Sequence, residues 1–134
     1  MTTIIEGGCL CGACRYSTHA TPINIRVCHC HRCQKAMGSP FNARVLVPLD
    51  SLEVSGPVGW FDGNTGLRRG FCTTCGTTLF SERKNANVIG LSMGSLDHPD
   101  RFHPTEHICV SSKQEWLYLN DGLPQFLKGV PLRA

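Results

Sequence analysis

The chain has 134 residues, enough for one domain that buries a core without covalent staples. Hydrophobic residues make up 41% and charged residues 17%, which excludes a disordered chain, and no apolar run reaches membrane-spanning length. The formal charge of +3 counts thiols as neutral; seven thiolates holding two zinc ions would bring it to about 0, so basicity argues little for a nucleic-acid partner.

Met1–Glu6 lacks the charged and apolar regions of a secretory signal. The first cysteine cluster follows, Cys9-x-Cys11, with Cys14 just beyond it. A strand is expected over Ile23–Val27, then the second cluster, Cys28-x-Cys30-x-x-Cys33. His31–Met37 is the clearest helical stretch and places Cys33 in a first turn, where the helix dipole favours a thiolate. Strands are expected over Phe41–Val47, Leu52–Val54, Val58–Phe61 and Gly70–Cys72. Cys72-x-x-Cys75, the third cluster, turns into strands over Thr77–Phe80, Val88–Leu91 and His107–Val110. A short helical turn is expected after Asp97–Asp100. Fourteen glycines and eight prolines rule against long helices, and no repeat or linker divides the chain. The expectation is a mainly β chain forming a single zinc-binding domain over residues 1–134.

The cysteine spacing has a geometric reason. Residues i and i+2 of an extended segment face the same way, so Cys9 with Cys11, or Cys28 with Cys30, can meet one ion. A two-residue spacer wraps a tight turn around a metal. Glycine follows Cys11 and Cys75, but Gln34 follows Cys33. This asymmetry suggests that Cys9, Cys11, Cys72 and Cys75 form one closed four-thiolate site. Cys28, Cys30 and Cys33 would then hold a second ion alone, although spacing by itself permits other pairings. A histidine, His29, His31 or His107, could equally close that second site. An odd cysteine count argues against a disulfide framework, and abundant thiols without an export signal point to the reducing cytosol. Cys14 and Cys109 read as small buried apolar residues, with Cys14 near enough to be a spare ligand.

Three segments resemble the family of glutathione-dependent formaldehyde-activating enzymes, which includes centromere protein V. They are Gly7-Gly8-Cys9-Leu10-Cys11-Gly12-Ala13-Cys14, Cys28-His29-Cys30-His31-Arg32-Cys33 through Phe41, and Gly70-Phe71-Cys72-Thr73-Thr74-Cys75-Gly76 through Phe80. The tail also fits, from Gly94-Ser95-Leu96-Asp97 to Asp121-Gly122-Leu123-Pro124. The resemblance implies a β-tent of small antiparallel sheets pinned by zinc. It implies structural zinc on Cys9, Cys11, Cys72 and Cys75, and a second zinc on the catalytic set Cys28, Cys30 and Cys33. It also implies a carbon–sulfur lyase whose founding reaction joins glutathione and formaldehyde into S-hydroxymethylglutathione. Cys14 stands where many relatives carry an aliphatic residue and Cys109 where an aromatic is common.

The expected chemistry is a small substrate thiol, such as glutathione, activated at the open three-cysteine zinc for attack on an aldehyde carbonyl. Arg32, Lys35, Arg44, Arg68 and Arg69 are candidates to hold an anionic substrate, and His29 or His31 to carry its proton. Gly38–Phe41 is a candidate pocket wall and Gly63–Gly70 a candidate lid. The competing reading is a non-catalytic zinc-stabilised module that binds protein or nucleic acid. Against nucleic acid stands the lack of an interleaved basic and aromatic surface.

Overall fold

The computed structural model describes residues 3–130. Ten strands and one α-helix are arranged in two sheets. The strands are β1 (Ile5–Gly8), β2 (Arg15–Thr18), β3 (Asn24–Cys28), β4 (Asn42–Pro48) and β5 (Glu53–Ser55). They continue with β6 (Val58–Asp62), β7 (Arg68–Cys72), β8 (Thr78–Arg83), β9 (Val88–Ser92) and β10 (Glu106–Ile108), and helix α1 spans His31–Met37. The smaller sheet has the order β1-β2-β5 and the larger β10-β3-β4-β9-β8-β7-β6. All pairs are antiparallel except β10 with β3. The larger sheet has seven strands and one parallel edge, so it is not a small antiparallel unit. No helix among the described residues is long and apolar enough to cross a membrane.

Alternation decides what each face of the larger sheet carries. The register aligns Ile25, Val45, Leu91, Phe80, Gly70 and Trp60 in one row across six strands. This inner face meets Ile5 and Tyr16 from the smaller sheet, and together they form the core. Tyr16 meets Phe80 edge-on at 5.3 Å, while Trp60 stacks on Phe80 at 5.8 Å. Both rings close over Gly70, where a Cβ would lie 2.8 Å from Trp60 and 2.9 Å from Phe80. The outer face carries the other parity, including Cys28, Arg26, Asn42, Arg44, Ser81 and Arg69. It therefore faces away from the core, and that leaves it free for chemistry.

Helix α1 follows β3 directly. Cys30 caps its N-terminus, accepting the Cys33 amide on Sγ at 3.3 Å, and Gly38 ends it in the left-handed region. The expected turn after Asp97 is a 3₁₀ turn at Pro99–Arg101. Strand His107–Val110 ends early, because Cys109 adopts a φ of 57° and a 3₁₀ turn covers Val110–Ser112. The chain then returns to run beside β10 in the parallel sense, with Phe126 N–H donating to His107 O at 2.9 Å and Cys109 N–H to Lys128 O at 3.2 Å. That return brings Gly129 and Val130 to the outer face.

Candidate metal centres and their cavity

Two groups of sulfur atoms gather where the strands end. In the first, the Sγ atoms of Cys9, Cys11, Cys72 and Cys75 all lie within 4.8 Å of one another. Cys9 and Cys11 come from the β1–β2 loop, Cys72 and Cys75 from the β7–β8 hairpin, so the group bridges the two sheets. The Cys9–Cys11 and Cys11–Cys72 sulfurs are 3.6 and 3.9 Å apart. A tetrahedron around an ion bonded to sulfur at about 2.3 Å has edges of about 3.8 Å. Gly12 and Gly76 take the positive φ expected of them, 84° and 79°. The amides that reach sulfur belong to their neighbours: Cys14 to Cys9 at 3.2 Å, and Thr74 and Cys75 to Cys72 at 3.4 and 3.5 Å. The Thr77 hydroxyl, and then its amide, hold the Cys75 thiol down at about 5.

Cys28, Cys30 and Cys33 form the second group, again within 4.8 Å of one another. Hydrogen bonding from Cys28 and then Cys33 holds the Cys30 thiol down at about 2, while the same sharing, with burial, pushes Cys28 up. The three sulfurs share their protons through these hydrogen bonds, and a cation bound among them would displace those protons. Both groups are capable of coordinating a metal ion.

No histidine joins either group among the described residues. His29 points away from its flanking cysteines and is 0% exposed. Its Nε2 lies 2.9 Å from His107 Nδ1, and His107 Nε2 lies 2.6 Å from Asp121 Oδ2. Burial, and then His107, push the His29 pKa down, which favours a neutral ring. His31 is exposed on α1 and faces a cleft with Gln34 and Ser39. Neither lines the cavity beside the three cysteines, so the expected proton shuttle has no seat there. Cys14 is buried as expected, and burial pushes its thiol up to about 12. Cys109 departs from expectation, being half-buried in the cavity wall.

That cavity holds about 590 Å³ on the outer face. Cys28, Cys30 and Cys33 line it together with Arg26, Arg32, Arg44, Arg69 and Arg83. Of the cations expected from sequence, Arg32, Arg44 and Arg69 are in place. Arg68 is on the inner face, paired with Glu82 at 2.7 Å and lying 4.4 Å over Trp60. Lys35 faces a neighbouring cavity. Arg26 and Arg83 were not anticipated. Arg26 could have been, because two residues before Cys28 on an extended strand is the same face. Arg26 stands opposite Arg44 in the register and pairs with Glu106. Arg44 Nη1 donates to Asn24 Oδ1 at 2.6 Å, and burial, then Arg26, lower its pKa. Arg69 Nη2 lies 3.9 Å from Cys33 Sγ. Asn42 faces Cys28 across the register with its Oδ1 buried and lacking a hydrogen-bond partner. Of the Gly63–Gly70 candidate lid only residues 63–67 form a loop, because β7 begins at Arg68; that loop reaches over the cavity through Leu67, and Arg32 bonds Thr65 Oγ1 at 3.3 Å. Gly38–Phe41 does not line it: Phe41 packs on His29 at 5.6 Å, and the residues before it border the cleft at His31.

Residues 4–112 match the family described as glutathione-dependent formaldehyde-activating enzyme. An uncharacterized lyase of Schizosaccharomyces pombe is 33% identical over 75 residues, which cover 56% of this chain. The chain spans about half the length of that relative, 55%. A crystal structure of a Rhodobacter sphaeroides protein superposes with a TM-score of 0.57 at 20% identity, covering 90% of this chain and 98% of that one. At that identity the likeness concerns the fold.

Proposed function

The chain belongs to the glutathione-dependent formaldehyde-activating enzyme family, a family of lyase type, and from that premise we propose that it is a zinc-dependent carbon–sulfur lyase acting on a thiol adduct. The observation that carries this reading is the contrast between the sulfur groups. Four cysteines close one group against the core, and three open the other onto an arginine-lined cavity. In this reading residues 1–134 form one domain of β-tent type, with structural zinc joining its sheets through Cys9, Cys11, Cys72 and Cys75. A second zinc is held by Cys28, Cys30 and Cys33, the residues that carry the chemistry. Sulfur-only donors at these spacings suit zinc. Unpaired cysteines throughout suit a reducing compartment, the cytosol.

Zinc bound at the three-cysteine group would supply a deprotonated substrate thiol at neutral pH. The protein's own residues do the rest. Cys28, Cys30 and Cys33 would hold that zinc as a soft three-thiolate donor set, suited to receiving a substrate sulfur. Arg44 holds an acidic group of the thiol deep in the cavity, where an anion offsets the burial and the neighbouring Arg26 charge that lower its pKa. Arg69, beside Cys33, is placed to donate to a carbonyl oxygen as charge develops on it. In the forward direction sulfur attacks the aldehyde carbon, the C–S bond forms, and the thiol proton ends on oxygen through water in the open cavity. The lyase direction reverses each step.

The test is exchange NMR of isotopically labelled formaldehyde with glutathione. Zinc-loaded protein should accelerate exchange between free aldehyde and adduct beyond the spontaneous rate, and Cys30→Ser should abolish the gain. Exchange at the spontaneous rate for every thiol and aldehyde tried would leave a zinc-stabilised binding module as the surviving reading.

A further inference from the structure

The space beside the three cysteines does not end at Arg69. On the far side of that side chain lies a second cavity of about 410 Å³, between α1 and β6–β7. Arg32 and Arg69 line both cavities, so the two meet at the guanidinium nearest Cys33. The second cavity is apolar in character. Its walls include Ala36 from α1, Phe61 and Phe71 from the sheet, and Thr78. Register explains the aromatic side: Phe61 pairs with Arg69 on the outer face, and the Phe71 ring lies over Gly59, where a Cβ would approach to 2.8 Å. Phe61 is left 64% exposed at the rim, although it is a large apolar side chain.

Formaldehyde has no use for this space. Its single carbon fits beside the sulfur within the arginine-lined cavity, whereas clefts of about 300 Å³ and more accommodate substantial organic groups. Arg69, 3.9 Å from Cys33 Sγ, borders both cavities, so a substituent on a carbon bound near Cys33 would have the apolar cavity within reach past it.

We propose that the second cavity receives the carbonyl-derived substituent of the adduct, so that the preferred substrate is the hemithioacetal of an apolar aldehyde, aromatic or short-chain aliphatic, over the formaldehyde adduct. This rests on the thiol-adduct reading of the three-cysteine site. The reaction balances without an oxidant: R′–SH and R–CHO give R′–S–CH(OH)–R, with one C–S bond formed, the carbonyl π bond opened, and the thiol proton transferred to oxygen. An acidic arm of R′ faces Arg44, while R passes Arg69 into the Phe61–Phe71 cavity.

Unreactive thioethers separate this claim from turnover. Calorimetry on the zinc-loaded full chain should find S-benzylglutathione bound roughly 10–100-fold more tightly than S-methylglutathione, the worth of burying one aromatic group. Ala36→Phe fills the cavity from α1, and Phe61→Ser strips its rim at an exposed position that tolerates change. Each should erase most of the benzyl preference while leaving S-methyl affinity and zinc content unchanged. Equal affinities for the two thioethers in the unmodified protein would overturn the inference and leave the thiol-adduct reading standing. A benzyl preference untouched by both variants would place the ring elsewhere and overturn it too. If neither thioether binds, the inference falls, and the response of the cobalt-substituted protein to free thiols decides whether the thiol-adduct reading falls with it.

Discussion

Cys14 donates its amide to the Cys9 sulfur, yet its own thiol is buried and pushed up to about 12. Its sulfur does not join the four-cysteine group and sits in the core beside Cys72, so Cys14 is packing material. Cys14→Ala should therefore leave metal content unchanged and cost about 1 kcal/mol for the small cavity left behind. Cys9→Ser, by contrast, should remove one metal equivalent. Elemental analysis of both variants beside their melting curves checks the pair. Metal lost from Cys14→Ala with full retention in Cys9→Ser would reassign the ligand.

The two cysteine groups sit on elements that differ in what they hold together. Cys72 ends β7, is 0% exposed and packs in the core, where its group links two sheets. Cys30 stands at the start of α1 and caps it. Serine is a good helix cap, so Cys30→Ser keeps the helix start while removing a metal donor. The expected outcome is a folded protein with one zinc, as against strong destabilisation in Cys72→Ser, because metal there is folding energy. Circular dichroism with metal analysis reads both, and the reverse pattern would exchange the roles of the groups. The same elements show what sequence can and cannot supply. His31–Met37 was readable to its boundaries from its place after the cysteines. β1 and β2 were not foreseen, because two glycines in one and a lone apolar residue in the other hide the alternation. Cysteine clusters declare themselves locally through spacing. The arginine pair Arg26–Arg44 needs the β3–β4 register, and the His29–His107–Asp121 chain needs a parallel pairing between strands nearly eighty residues apart, which no local pattern encodes.

Across the whole molecule, charge is distributed by sheet face. The outer face carries four arginines around the three cysteines and α1 adds a fifth, Arg32, with Glu106 pairing Arg26 at the parallel edge. Burial raises the Glu106 pKa, but hydrogen bonds from Thr105 and Arg26 outweigh it and the net shift is downward. A carboxylate lowered in the folded state stabilises fully above its unfolded value, here 4.5, and loses that contribution as pH falls through its folded one. Asp97, lowered by Arg15, acts in the same direction but is more exposed and contributes little. Stability should thus decline as pH falls below about 6.5, where the ring of His29 protonates in the unfolded chain but is kept neutral by burial in the folded one, and decline further below about 4.5 as Glu106 titrates. Glu106→Gln should cost about 3 kcal/mol at neutral pH, since it strips the carboxylate from a buried guanidinium, and should shrink the acid-dependent part. Denaturant melts of both proteins at a series of pH values test this, and an unaltered acid limb in Glu106→Gln would contradict it.

The central claim is that the Cys28–Cys30–Cys33 site is open to a substrate sulfur. Cobalt in place of zinc reports this directly, because thiolate-to-cobalt bands follow the ligand set. Titrating the cobalt protein with glutathione should shift those bands saturably, with the shift absent in Cys30→Ser and preserved in His31→Ala. A spectrum indifferent to every thiol, with four protein donors at the second metal, would contradict the claim and make both ions structural.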